Sequence, residues 1–64
     1  MKFDINDKVI TIVEKGNIKK GSIGFVVFVF SKPNESYDVE FWNNVDDVPY
    51  GYETYLPEEL ENNE

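Results

Sequence analysis

The reactive side chains of this sequence are almost all carboxylates and tyrosine hydroxyls. Histidine, arginine and cysteine do not occur, so the usual proton shuttle, the bidentate phosphate ligand and the thiolate nucleophile are missing. Carboxylates on a small acidic protein are mostly solvated surface groups. We therefore expect no catalytic residues and interpret the chain as a protein that is not an enzyme.

Two pairs of adjacent acids, Asp46-Asp47 and Glu58-Glu59, are the candidates for binding a metal ion. Calcium takes about six to eight oxygen ligands, supplied by a defined loop. The spacing of these acids does not provide such a loop. No metal site and no cofactor are expected.

Carboxylates and tyrosines interleave in the segment from Asp46 to Glu53, which includes Tyr50 and Tyr52. Tyrosine provides rigid contact area at a low entropic cost, and neighbouring acids select a cationic partner. A cage for methylated lysine is another use of such rings, although the spacing does not require one. The segment predicts a contact surface for another protein.

The charge of the chain is unevenly distributed along its length. The net charge is −7; residues 1–32 contain all six lysines and three acids, whereas residues 33–64 contain ten acids and no base. This division suggests an acidic face that attracts a basic partner and repels nucleic acid phosphate. A simple role in solubility is the alternative. Lys15, Lys19 and Lys20 form only a weak phosphate patch against the negative net charge, so the sequence does not favour nucleic acid binding.

A chain of 64 residues makes one small domain, which we place at residues 1–60 with a polar tail at 61–64. It has no apolar run near 18 residues and no signal-peptide pattern, so we expect a cytoplasmic protein with no membrane partner. β-branched and aromatic residues favour strands. The predicted strands are Lys8–Glu14, Ile23–Phe30, Ser36–Trp42 and Tyr50–Tyr55, followed by a helical turn at Leu56–Leu60.

The third predicted strand alternates cleanly, with Tyr37, Val39 and Phe41 on one side and Asp38, Glu40 and Trp42 on the other. The second strand, with the run FVVFVF, is apolar on both sides. Short strands with glycine and proline turns favour an all-β, partly open barrel of about five strands with one short C-terminal helical turn. The fifth strand comes either from residues after the turn or from those near Phe3 and Ile5.

Four segments of the sequence, NDKVITIVE, KKGSIGFVVFVF, YDVEFW and TYLPEEL, resemble a family of small bacterial SH3-like domains of unknown function. The glycine turn is also similar to the KOW motif of ribosomal and transcription proteins. The resemblance implies an SH3-like barrel, and by analogy with some members an immunity or inhibitor role toward toxins. Where the family tends to have a polar residue in the second strand, this chain has Phe28.

Phe28 and Trp42 are the leading candidates for apolar contacts with a partner. A small barrel has one inner face, so we favour burial of Val27 and Val29 with Phe28 exposed. The alternative is that Phe28 and Phe30 pack under the terminal segment, and that Trp42 covers the mouth of the barrel. The predicted partner-binding residues are Phe28, Trp42, Asp46, Asp47, Tyr50, Tyr52 and Glu53.

These observations predict a small acidic protein-binding module. The leading hypothesis is an inhibitor or immunity-type protein that blocks a basic surface of a toxin or effector by occlusion. The alternatives are a structural accessory SH3-like subunit of a larger complex and a KOW-like nucleic-acid or ribosome binder. The sequence does not fix the oligomeric state.

Overall fold

The computed structural model describes residues 2–43 and 48–63 of the chain. The elements, in chain order, are β1 Lys8–Thr11, β2 Ile23–Phe30, β3 Ser36–Asn43, β4 Val48–Tyr55, a 3-10 turn at Pro57–Glu59, and β5 Leu60–Asn62. Within those two ranges, no helix has the length and apolar character needed to cross a membrane.

All five strands belong to one antiparallel sheet with the order β4-β3-β2-β1-β5. The last strand therefore pairs with the first, which curls the sheet toward a small barrel that is left open between β4 and β5. This arrangement confirms the predicted fold class of an all-β domain with five strands and one short helical turn.

The ends of β1 and β4 differ from those predicted. β1 ends at Thr11 rather than Glu14, because the Thr11 hydroxyl donates to the carbonyl of Lys19 at 3.1 Å and accepts the N–H of Ser22 at 3.2 Å. These bonds start the loop that leads to β2. β4 begins at Val48 rather than Tyr50, and it tolerates a proline near its start because it is an edge strand.

β5 comes from the residues after the 3-10 turn and extends into the segment expected to be a polar tail. Glu61 pairs with Ile10, and Asn62 pairs with Val9. The side chains of Glu61 and Asn62 are exposed, and strand pairing needs only their backbone groups. A polar sequence therefore did not prevent strand formation at this edge.

The core lies on the concave side of the sheet. Tyr37, Val39 and Phe41 are all buried there, as the alternation of β3 predicts. Edge-to-face contacts join Phe3 to Tyr37 and Phe41 to Tyr55, with centroid distances of 5.2 and 6.1 Å. The buried apolar residues are Phe3, Val9, Ile18, Val26, Tyr37, Val39, Phe41, Tyr55 and Leu60.

The segment before β1 closes one end of this core. Phe3 is buried, and the Tyr37 hydroxyl accepts the backbone N–H groups of Lys2 and Phe3 at 2.9 and 3.2 Å. The same hydroxyl donates to the carboxylate of Glu35. Burial raises the pKa of Tyr37, and the bond from Tyr37 lowers the pKa of Glu35. The N-terminal segment is thus part of the packed structure.

A β-bulge in β2 decides which side chains of this strand are buried. Val26 pairs with Val39 and Phe28 pairs with Asp38, so Val27 is an additional residue without a partner. As a result Val26 is buried, whereas Val27 and Val29 are half-buried. Val29 pairs with Tyr37 and packs against the core, and Phe28 is exposed, both as expected. The expectation was wrong for Val27, which is the additional residue of the bulge and does not belong to the core.

Two glycines allow close packing, Gly24 against the neighbouring strand β3 and Gly51 against a loop. A Cβ atom at Gly24 would lie 2.7 Å from the backbone carbonyl oxygen of Glu40, and one at Gly51 would overlap the terminal methyl of Ile18. Ile18 is buried and reaches β4 from the loop between β1 and β2. The loop therefore packs on β4 at the position where a side chain is missing.

Candidate protein-binding face

The strand registers place four side chains in one row across the convex side of the sheet. Lys8 pairs with Phe25, Phe25 with Glu40, and Glu40 with Tyr52. Directly paired residues in antiparallel strands point to the same face. The row therefore reads cation, ring, carboxylate, ring from β1 to β4.

The bulge at Val27 places further phenylalanines on this side. Phe25 lies before the bulge and Phe28 after it, and Phe28 pairs with Asp38, two residues along β3 from Glu40. Phe30 lies two positions beyond Phe28, and their rings stack with centroids 5.8 Å apart. All three phenylalanines of β2 thus face solvent on the convex side.

Six of the ten aromatic side chains of the chain are exposed on or beside this surface, which we call the aromatic face. Phe28, Tyr50 and Tyr52 are each more than half exposed, at 56%, 56% and 55%. Monomeric proteins rarely expose large contiguous apolar patches, so the aromatic face is a candidate interaction site. The members of the aromatic face are Phe25, Phe28, Phe30, Trp42, Tyr50 and Tyr52.

A groove of about 420 Å³ lies at one end of the aromatic face. Phe25, Trp42 and Tyr50 supply rings to its walls. Tyr50 is the additional residue of a second bulge, between the Phe41–Gly51 and Trp42–Pro49 pairs. The volume is in the range that accepts one or two side chains or a small ligand. The lining residues are Lys8, Gly21, Ser22, Ile23, Phe25, Trp42 and Tyr50.

Asp38 sits beneath the rings as a structural carboxylate. It is only 7% exposed. Its oxygens accept the Tyr52 hydroxyl at 2.8 Å and the Thr54 hydroxyl at 2.6 Å. The bond to Asp38 raises the pKa of Tyr52. The bond from the Tyr52 hydroxyl holds the Tyr52 ring in place on the face, and the Thr54 bond fixes the carboxylate that accepts it.

The residues predicted to bind a partner are only partly brought together. Phe28, Trp42 and Tyr52 belong to the aromatic face. Tyr50 lies at its border, where it lines the groove while its ring lies 6.2 Å, between centroids, from the core ring of Phe41. Glu53 pairs with Val39, a core residue, and its carboxylate lies against Gly16, so it points away from that face. Asp46 and Asp47 lie outside the described residues.

Sequence reasoning missed Phe25, Phe30 and Glu40 as members of the surface. The run FVVFVF contains three phenylalanines, but simple alternation places Phe25 and Phe28 on opposite sides. The spacing of three between them fits one face only with a bulge between them. Glu40 was assigned to the same side as Trp42, but its position between two rings depends on pairing across strands.

The lysines of the first half do not converge on one site. Lys15 pairs with Glu59 at 2.8 Å, and the Lys2 ammonium donates to the carbonyls of Pro57 and Leu60. Lys8 lines the groove. Within residues 2–43 and 48–63, no group of three acids is close enough to hold a metal ion.

The chain is thus an all-β domain whose distinctive surface is an exposed aromatic face with a lysine and a glutamate in its central row. Comparison with protein-family models, curated proteins and solved structures yields no match. The resemblance to SH3-like domains of unknown function therefore stays a prediction.

Proposed function

We propose that the chain is a protein-binding module that inhibits its partner by occlusion, covering a basic functional surface of a toxin or effector. The observation that supports this is the aromatic face, where six rings stay in solvent although four others are packed in the core. Exposed tryptophan and tyrosine side chains are enriched among residues that dominate binding energy.

Inhibition by occlusion depends on the contact area between the two proteins and needs no catalytic group. The folded chain exposes 4392 Å². A standard interface uses about 800 Å² on each partner, which is roughly a fifth of this surface. The aromatic face would supply the centre of such a contact, and the surface around it the remaining area. In this proposal Phe28 and Trp42 are the apolar anchors, with Tyr50 and Tyr52 beside them.

The charge of the chain favours a basic partner. The net charge of −7 would speed encounter with a positive surface. At contact, Glu40 is the carboxylate best placed to pair with a lysine or arginine, because Phe25 and Tyr52 flank it in the register. A cation there would also lie near aromatic rings, which attract it further.

The proposal is tested by isothermal titration of the chain against the purified product of its neighbouring gene. We expect a one-to-one complex and loss of that protein's activity. Phe28→Ser should weaken the complex at least tenfold, since truncation of a central ring typically costs more than about 1 to 2 kcal/mol. Glu40→Gln should also weaken it.

Glu58→Gln is the matched control for Glu40→Gln, because Glu58 is exposed on the 3-10 turn. It removes the same charge away from the aromatic face and should bind like the original chain. Circular dichroism confirms that each variant is folded. Absence of a complex at low salt would contradict the proposal. A stable complex without inhibition would instead favour the accessory-subunit role, and a salt-sensitive RNA shift would favour the KOW-like role.

A further inference from the structure

The central row of the aromatic face is complementary to itself. Lys8, Phe25 and Glu40 lie on adjacent strands in direct register. Since neighbouring strands are about 4.8 Å apart, Lys8 and Glu40 lie on either side of Phe25, about 10 Å from each other. A second copy, turned by half a revolution about an axis along β2, presents the same row in the opposite order.

We propose that, in the absence of a partner, a second copy of this chain covers the aromatic face as a two-fold symmetric dimer. The rotation places Lys8 of each copy opposite Glu40 of the other and brings the two Phe25 rings together. Such an isologous contact closes after two copies. This inference goes beyond the proposed function, because it concerns the state of the chain before a partner binds.

The neighbouring row supports the same arrangement. Ile10 pairs with Ile23, and Ile23 shares the groove wall with Trp42. Under the same rotation the two Ile23 side chains meet at the axis, and Ile10 of one copy approaches Trp42 of the other. Apolar groups therefore meet apolar groups, while like charges in the central row stay about 10 Å apart laterally.

The size of the face sets the expected strength of the dimer. Four strands span roughly 14 Å, and β2 is roughly 23 Å long from Ile23 to Phe30, which gives a projected area of about 320 Å². This is below the standard of about 800 Å² per partner, and the net charge of −7 on each copy opposes association. We therefore expect a reversible dimer with a dissociation constant of roughly 0.1 to 1 mM, weak enough for a partner to displace the second copy.

Sedimentation equilibrium from about 20 µM to about 2 mM, together with charge-reversal variants, tests the inference. Lys8→Glu and Glu40→Lys should each weaken the dimer about tenfold. The double variant K8E/E40K restores opposite charges at both contacts, and its dissociation constant should return to within about threefold of the original.

Glu58→Lys is the matched control for Glu40→Lys, because it makes the same change in net charge at an exposed site on the 3-10 turn. Lower net repulsion alone would make both variants dimerise more strongly. We expect Glu58→Lys to dimerise at least as well as the original chain and Glu40→Lys to dimerise less well. Circular dichroism of every variant confirms the fold.

A chain that stays monomeric at about 2 mM, a double variant that is not restored, or an assembly that grows beyond two copies would overturn the inference. None of these results would contradict the proposed function, because the titration that tests it is carried out at concentrations well below those at which the chain dimerises. Conversely, loss of partner binding with an intact dimer would contradict the proposed function alone.

Discussion

Among single residues, Tyr55 has the most unusual environment. Its side chain is fully buried, and its hydroxyl has no hydrogen-bond partner among the described residues. Burial, with smaller contributions from the charges of Glu53 and Glu59, raises the pKa of Tyr55 to about 12. The Lys15 ammonium lies 5.0 Å from the centre of the ring. An unpaired buried hydroxyl destabilises the fold, because it has lost its bonds to water.

Tyr55→Phe is expected to leave the free energy of unfolding unchanged or to increase it by about 1 kcal/mol at pH 7, because it removes the unpaired hydroxyl. Since the folded state raises the pKa of Tyr55 from 10.0 to about 12, the original chain should lose stability as the pH rises through this interval, and the variant should lose less. Urea denaturation at pH 7 and pH 11 measures both effects.

Tyr37→Phe is the contrasting variant, because the Tyr37 hydroxyl accepts the N–H groups of Lys2 and Phe3. It should destabilise the chain by about 1 to 3 kcal/mol at pH 7. A comparable loss in Tyr55→Phe would show that the Tyr55 hydroxyl has a partner and would contradict the prediction.

Residue exposure was predictable from the sequence only where it follows from local alternation. Tyr37, Val39 and Phe41 were correctly placed in the core for this reason. Asp38 was expected on the solvent side, where it does lie, but it is nearly buried because Tyr52 and Thr54 donate to it from β4. Those donors are 14 and 16 residues away in sequence, so no local sequence pattern predicts these hydrogen bonds.

At the level of elements, β4 depends on a glycine to accept the loop between β1 and β2. Ile18 is buried against Gly51, and any side chain at Gly51 would overlap its terminal methyl. The loop and the strand therefore share one packing site, which couples two elements that are distant in the chain.

Gly51→Ala is expected to destabilise the chain by about 1 to 3 kcal/mol, the usual cost of overpacking. Ile18→Val removes the overlapping methyl and should cost about 0.5 to 1.5 kcal/mol alone. The smaller side chain at position 18 makes room for the alanine at position 51. The double variant should therefore lose less free energy of unfolding than the two single variants lose in sum. Urea denaturation of the four proteins measures this coupling, and simple additivity would contradict the proposed contact.

The 3-10 turn is held to the same loop by one carboxylate. Glu59 accepts the backbone N–H of Leu56 and the Lys15 ammonium, both at 2.8 Å. Burial alone would raise the pKa of Glu59, but the two bonds outweigh it and the pKa is lowered from 4.5. The turn immediately precedes β5, so this contact also orients the strand that closes the sheet.

Glu59→Gln should reduce the free energy of unfolding by about 1 kcal/mol at pH 7, a modest value because the ion pair is partly exposed. A lowered pKa in the folded state stabilises the fold above pH 4.5, and that contribution is lost as the pH falls through the folded-state pKa. The difference between the two proteins should therefore narrow in acid. Thermal melts from pH 7 to pH 3 follow it, with Glu58→Gln as the control that should match the original chain throughout.

The sequence predicted the positions of the strands better than it predicted which side chains of each strand face the core. The four strands predicted from the sequence and the helical turn lie at nearly the observed positions, because β-branched and aromatic runs and turn residues are local signals. The faces of β2 before Val27 were not predicted correctly, because simple alternation groups Phe25 with Val27 and Val29, whereas the bulge that forms through pairing with β3 places Phe25 on the same side as Phe28. One additional residue there changes which phenylalanines are exposed, and hence the composition of the candidate site.

For the whole molecule, the core depends on residues near both ends of the chain. Phe3 from the N-terminal segment and Leu60 from β5 are both buried in the same cluster with Val9. The sequence left the source of the fifth strand open, because neither end carries a strong apolar alternation. A domain of this size has only about 3 to 10 kcal/mol of stability, so losing either end matters.

Phe3→Ala should cost about 3 to 5 kcal/mol, the usual value for a buried phenylalanine, and should leave a large part of the chain unfolded at 25 °C. Phe3→Leu keeps most of the volume and should cost less than about 1.5 kcal/mol. Circular dichroism and urea denaturation distinguish the two. A Phe3→Ala chain that melts like the original would show that the N-terminal segment does not close the core.

The pairing of β5 with β1 has a consequence for synthesis. During translation β1 leaves the ribosome first, but Leu60–Asn62 must also emerge before the sheet can acquire its last strand. Until then the rings of the core and those of the aromatic face are exposed on the same nascent chain. Such a polypeptide completes its sheet only after β5 has emerged, and until then its many carboxylates keep it dispersed.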